Sequence, residues 1–215
     1  MSFLHNQKFL ITANCRIFET VNYMDPVELF GVIFGFICVV LTIRQNIWCW
    51  PIGIVNVSLF LVMFYKVRLY ADMGLQGVYI GLSVYGWYQW LHGGPGQSEL
   101  SVSRIERGSA LVLFLIGVTG TVVMGWGLST YTNADLPYWD SSTTVMSLIA
   151  QWMLAKKILE NWLVWISADI LFIGIYYYKH LYLTCLLYFL FLVLATSGFF
   201  VWRRTLKIQP APVAA

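Results

Sequence analysis

The chain has 215 residues, of which 59% are hydrophobic and 11% charged, with a formal net charge of +3 and a mean hydropathy of +0.71. Soluble domains carry about 25% charged residues, so this composition excludes a charge-covered aqueous surface and points to the lipid bilayer as solvent. Lys and Arg cluster only at Arg203, Arg204 and Lys207, which excludes a basic face for nucleic acid.

In chain order, residues 1–25 hold scattered polar side chains and no long apolar run. They are expected to lie outside the core and do not read as a cleaved signal peptide. Seven apolar runs of roughly spanning length follow, over 27–43, 47–65, 71–91, 109–129, 142–159, 161–178 and 181–202. Most joints are short and polar: Arg44-Gln45-Asn46, Lys66-Val67-Arg68, Lys156-Lys157 with Glu160, and Lys179-His180. The longest, 92–108, contains Gly93-Gly94-Pro95-Gly96 and reads as a linker between two halves. Membrane strands would alternate apolar and polar over about ten residues. These runs are apolar on all faces and twice as long, so helices are predicted.

With seven spans, one side holds Lys8, Arg16, Lys66, Arg68 and Lys179, and the other holds Arg44, Arg104, Arg107, Lys156, Lys157, Arg203, Arg204 and Lys207. The positive-inside rule then puts the C-terminus in the cytoplasm and the N-terminus outside.

Sliding the chain against itself gives one ungapped register at an offset of 112 residues. Trp50 then faces Trp162, Gly86 faces Gly198, Trp90 faces Trp202, and Leu69-Tyr70 faces Leu181-Tyr182. Matches between rare residue types carry the signal. The register pairs spans 1–3 with spans 5–7 and leaves span 4 single. An odd number of spans per repeat plus one linker span gives both halves the same topology. The expected fold is an all-α membrane protein of two parallel three-helix repeats joined by a linker helix, with substrate held near the midplane between them. The expected boundaries are 26–91 for the first repeat, 92–130 for the linker loop and fourth helix, and 131–205 for the second repeat, with 206–215 as a tail.

Three elements offer chemistry. The first runs from Asn46 through Trp48, Trp50 and Pro51 to Asn56. It reads equally as a helix start with interfacial Trp anchors, except that Asn56 lies inside the span, where an amide needs a partner. The second, Asn161-Trp162-Leu-Val-Trp165-Ile-Ser-Ala-Asp169, puts Trp162, Trp165 and Asp169 on one helical stripe. An intramembrane carboxylate is a functional-site hypothesis by default; the alternative is a structural Asp bonded to a neighbouring helix. Two indole faces beside an acid suit an aromatic cation. The third, in span 3, has Asp72 as a helix cap, then Gln76, Tyr79, Ser83 and Tyr85. Span 5 adds Ser147 and Gln151, and span 7 adds Tyr188, the repeat mate of Gln76. Gly31-x-x-x-Gly35 and Gly77-x-x-x-Gly81 permit close helix approach. The four cysteines show no metal-ligand spacing, and no nucleotide-hydrolysing loop or nucleophilic triad is evident. No cofactor and no enzymatic activity are expected.

Trp50-Pro51-Ile-Gly53, Tyr70-Ala-Asp72-Met-Gly74-Leu-Gln76, Tyr85-Gly86-Trp87-Tyr88-Gln-Trp90 and the Asn161–Asp169 element resemble the PnuC family of nicotinamide riboside transporters, over about residues 26 to 205. The resemblance implies a SWEET-like 3+1+3 fold, a homotrimer in the bacterial inner membrane, and facilitated diffusion. A cytoplasmic riboside kinase then traps the cargo. It leaves thiamine, riboflavin or a deoxynucleoside as alternative cargoes, and a proton-coupled carrier using Asp169 as an alternative mechanism. In the expected site, Trp162 and Trp165 stack on the pyridinium, Asn46, Asn56 and Gln76 serve its carboxamide and ribose, and Asp169 accepts from ribose hydroxyls or balances the cation. Trp50, Tyr85 and Tyr188 close the pocket, with Gln151 nearby.

Overall fold

A backbone in hydrocarbon has to satisfy its own hydrogen bonds, and the long apolar runs do so as helices. In this computed structural model, residues 26–208 are described apart from Val67, Leu69 and Asn133. Among the described residues there are seven α-helices: α1 (Pro26–Ile43), α2 (Cys49–Lys66), α3 (Tyr70–His92), α4 (Arg107–Tyr131), α5 (Pro137–Ala155), α6 (Asn161–Tyr178) and α7 (Tyr182–Ile208). The segment 1–25, expected to lie outside the core, falls outside the described residues, as does most of the 206–215 tail.

The largest displacement from expectation is α5, predicted over 142–159 and found at Pro137–Ala155. Pro137 suits a first helical position, where its missing N–H costs nothing. The helix ends because Lys157 adopts a left-handed conformation, φ 52°, returning the Lys157 N–H to Leu154 O and the Ile158 N–H to Met153 O. The released residues take the linker as a partner. Ser103 N donates to Lys157 O at 3.1 Å, and Leu159 N donates to Ser103 O at 2.9 Å. Ile105 N donates to Glu160 Oε2. Lys157 Nζ donates to Leu100 O at 2.8 Å and lies 4.4 Å from the Trp90 ring centroid. Burial lowers the pKa of this ammonium, with the Glu99 carboxylate opposing the shift.

Three helices, α2, α4 and α7, are by themselves long and apolar enough to cross a bilayer. Of the other four, α1 is apolar over the shorter stretch Phe30–Ile43, while α3, α5 and α6 carry more polar residues, several of which line the interior described below. Outward, Leu111, Phe114 and Val122 on α4 and Phe189, Val193 and Phe200 on α7 are more than half exposed, an apolar exterior suited to lipid. α4 packs on α5, with Gly120 against Val145 and Gly125 against Tyr138. Gly31 and Gly35 let α1 approach Phe60 and Asn56 of α2, whereas Gly77 and Gly81 face open space. Asp72 is the third residue of α3, not its cap; it sits in the favourable first turn of the helix dipole.

The two halves meet along two seams, α3 with α5 and α1 with α7. At one end the 112-residue register is repeated atom by atom. Trp50 and Trp90 stand T-shaped at 5.4 Å, and Trp162 and Trp202 at 5.5 Å. Trp90 and Trp202 then meet at 6.0 Å, joining the four rings into one layer. Trp90 Nε1 donates to Leu154 O of the second half at 3.1 Å, and Trp202 Nε1 donates to Thr42 O of the first half at 3.2 Å. Gln45 and Lys157 end their helices left-handed, as do Arg68 and His180. All four tryptophans are at most 3% exposed, so this end of the bundle is packed shut.

Each inner tryptophan lies on a glycine of its own half. A Cβ at Gly86 would stand 2.2 Å from Trp50 Cη2, and one at Gly198 would stand 2.6 Å from Trp162 Cη2. Gly86→Ala and Gly198→Ala are therefore expected to destabilise by about 1–3 kcal/mol through overpacking. Gly174→Ala, where the Cβ meets nothing within 4 Å, should lose nothing. Melting temperatures in detergent check the contrast.

Candidate functional site

Above the tryptophan layer the halves enclose a cavity of about 460 Å³, within the usual range for small-molecule sites. Its walls come from α1, α2, α3, α5, α6 and α7, and α4 contributes none of them. Along α2 it extends from Trp50 to Phe60, and along α6 from Trp162 to Phe172. Each stretch is about 15 Å at the α-helical rise, so the cavity reaches from the closed end toward the bundle centre.

Eight of the ten expected residues line it: Trp50, Asn56, Gln76, Gln151, Trp162, Trp165, Asp169 and Tyr188. The stripe of Trp162, Trp165 and Asp169 faces inward along α6, and Asp169 is 5% exposed. Among the described residues, none of the cavity's lining side chains is a Lys, Arg or His.

Two expected residues stand elsewhere. Asn46 is exposed, and its Oδ1 accepts from Trp48 N at 3.0 Å, closing the turn that leads into α2. Tyr85 lies beneath the Lys156 ammonium, 5.2 Å from its ring centroid, near the packed end. Asn56 lines the cavity, but it also ties helices together: Nδ2 donates to Gly31 O at 3.0 Å. Tyr188 is stacked on Phe172 at 4.5 Å and Tyr176 at 5.3 Å. Gln76 lines the opposite half.

Asn161, Tyr79, Ser83 and Ser147, which the sequence places on elements offering chemistry but which the expected site leaves out, all line the cavity. Tyr79 of α3 and Ser147 of α5 line it where those two helices meet. Asn161 is fully buried; its Nδ2 donates to Ile158 O at 2.5 Å, and its Oδ1 has no partner among the described residues. The indole N–H groups of Trp50 and Trp162 are also buried and unpartnered among the described residues. The repeat register could have exposed Asn161: its mate is Cys49, so a polar residue stands where the other half has a small apolar one.

The register also shows that the cavity has two chemical faces. Ser147, Gln151, Trp165 and Asp169 on α5 and α6 correspond to Gly35, Val39, Gly53 and Val57 on α1 and α2. In the other direction, Tyr79 and Ser83 on α3 correspond to Phe191 and Ala195 on α7. The polar groups thus gather on α3, α5 and α6, around one seam. The face made by α1, α2 and α7 is mostly apolar.

A multi-pass helical protein with two parallel three-helix halves and a cavity closed at one end between them has the architecture of a membrane transporter. This chain belongs to the nicotinamide mononucleotide transporter family, whose profile matches residues 25–204. It is 26% identical over 206 residues to the nicotinamide riboside transporter PnuC of Escherichia coli (strain K12), covering 84% of this chain and 86% of that one. It is 27% identical over 149 residues to the riboflavin/roseoflavin transporter RibM of Streptomyces davaonensis, covering 66% and 68%. The crystal structure of the vitamin B3 transporter PnuC superposes with a TM-score of 0.68 at 23% identity, covering 92% of this chain and 89% of that chain, which establishes the shared fold.

Asn56 and Asp169 should separate by experiment. Asn56→Leu removes the bond to Gly31 O and is expected to cost about 1–2 kcal/mol of stability. Asp169→Asn removes a buried carboxylate that lacks a basic partner, and should leave the melting temperature unchanged or raised. Thermal unfolding of the two purified variants checks this.

Proposed function

We propose that this chain carries nicotinamide riboside across the membrane by facilitated diffusion, with the cavity exposed alternately to the two sides. One observation carries the reading: a cavity walled by tryptophans holds a single carboxylate, Asp169, and no basic side chain among the described residues. Nicotinamide riboside is an aromatic cation with ribose hydroxyls. Trp165, partly exposed on the cavity wall, offers an indole face to its ring, where cation–π attraction is worth about 2 kcal/mol once desolvated, and the buried Trp162 backs it from the sealed layer. Asp169 balances the charge, and Gln76, Gln151 and Asn56 offer amide groups to the sugar.

The mononucleotide of the family's description carries a phosphate dianion as well. Bringing it beside Asp169 without a basic group would bury uncompensated negative charge, which is costly. The riboside named for the Escherichia coli relative fits better. Riboflavin, named for the Streptomyces relative, is neutral and would leave Asp169 unbalanced; thiamine, an aromatic cation, is the stronger competitor.

The same reading takes residues 26–91 and 131–205 as the repeats that move against each other. It places the protein in the bacterial inner membrane as a homotrimer, N-terminus outside and C-terminus in the cytoplasm, where a riboside kinase would trap the cargo. The excess of Lys and Arg on the tryptophan-sealed side supports that orientation.

Calorimetric titration of the purified protein is expected to give tighter binding for nicotinamide riboside than for thiamine, riboflavin or the mononucleotide. Asp169→Asn and Trp165→Ala should each weaken it at least tenfold, and tighter thiamine binding would overturn the assignment. In proteoliposomes, uptake should equilibrate at equal concentrations with or without a pH gradient. Accumulation driven by the gradient would show a proton-coupled carrier instead.

A further inference from the structure

We propose that Gln45 and Lys157, the repeat mates that end α1 and α5, are latches of the sealed end: each reaches across a seam into the opposite half, and together they set how often the tryptophan layer parts. This rests on the alternating access proposed above but not on the identity of the cargo.

Both residues are left-handed, with φ of 55° and 52°. Their backbone N–H groups return to Thr42 O and Leu154 O, the same two carbonyls that accept the crossing indole bonds. Each latch is therefore anchored at the acceptor of a bond that seals the layer. From these turns the side chains cross the seams. Gln45 Nε2 donates to Thr205 Oγ1 of α7 at 3.1 Å, one helical turn beyond Trp202. The Lys157 ammonium lies 4.4 Å from the ring centroid of Trp90 on α3. One latch thus closes the seam of α1 with α7, and the other closes the seam of α3 with α5.

The two are unequal in chemistry. Gln45 offers a neutral hydrogen bond at a half-buried position. Lys157 brings a charge, and at 7% exposed its attraction to the indole face is strengthened by desolvation. The linker holds that ammonium in place. Lys157 Nζ donates to Leu100 O at 2.8 Å, and Leu100 N donates to Trp90 O at 3.1 Å. A single linker residue is thereby bonded to both halves. Two residues on, Val102 is buried in the same cluster as the four tryptophans. Moving α3 away from α5 takes Trp90 out from under the ammonium and breaks a bond to Leu100 in the same step. Lys157 is the stronger latch, and the strap 100–105 is what positions it.

The test is hydrogen–deuterium exchange of the full-length protein without cargo, read by mass spectrometry at the two helix ends, 41–50 and 153–162. Amides there exchange through local opening. Lys157→Met keeps a long apolar stem and removes the charge; it is expected to speed exchange about tenfold at 41–50, in the half it does not belong to. Gln45→Ala should speed exchange about threefold at 153–162. Lys157→Arg, which keeps a cation for the indole, should stay within about twofold of the wild type at 41–50. Acceleration confined to the mutated residue's own half overturns the inference and leaves alternating access standing, because a residue that only finishes its own helix does not loosen the other. An arginine variant as fast as the methionine variant overturns the role given to the charge. No measurable exchange at either end, in wild type and variants alike, overturns the latches and the alternating-access reading together. Should Lys157→Met fail to fold, Gln45→Ala decides from the opposite side of the seam.

Discussion

Two indole hydrogen bonds cross between the halves of this protein, and the site depends on them. Trp90 of the first half donates to Leu154 O of the second, and Trp202 of the second donates to Thr42 O of the first. Both acceptors are carbonyls in the last turns of α1 and α5, and each also accepts the backbone N–H of the left-handed residue that ends its helix, Gln45 or Lys157. The indole bonds use the second lone pair of those carbonyls and hold the four tryptophans as a closed layer beneath the cavity. Each bond is worth about 1 kcal/mol. The layer is therefore stable enough to seal and weak enough to part, as alternating access requires. Because each bond spans a different seam, separating the halves at this end breaks both together.

Sequence legibility followed the rarity of the residues involved. Trp50, Trp162, Gly86 and Gly198 announce the repeat because tryptophan and glycine seldom coincide by chance, and the structure puts each glycine under its own tryptophan. The α6 stripe was legible because a carboxylate is conspicuous in an apolar run. The crossed bonds were not, since their acceptors are backbone carbonyls without a side-chain signature. Asn46 shows the opposite difficulty: an amide at a helix start looks the same in sequence whether it lines a cavity or closes a turn, and here it closes a turn. Asn161 carried that ambiguity and resolved the other way. The end of α5 was misplaced because nothing in Lys156-Lys157 signals a left-handed residue, for which glycine is the usual marker.

A scaffold duplicated in parallel would by default make a cavity with two equivalent walls. Substitution at paired positions has removed that equivalence. Small and apolar residues on α1 and α2 face their polar mates on α5 and α6, and α3 and α7 are exchanged in the opposite sense. The cavity is thus divided by chemistry along one seam while the backbone remains symmetric. A cargo with an aromatic ring and a sugar has the same division.

The linker is tied chiefly to one half. α4 seats Gly120 and Gly125 against α5, and the chain ahead of it pairs Ser103 with the loop between α5 and α6, with Lys157 and Glu160 bonding Leu100 and Ile105. The covalent arrangement of three, one and three helices is therefore mechanically a light body of three helices and a heavy body of four. In a membrane the heavier body, with its broad apolar α4 face, is the better anchored one. In the alternating access proposed above, the lighter body α1–α3 is the one to move, carrying the apolar wall on α1 and α2 past the polar wall on α5 and α6.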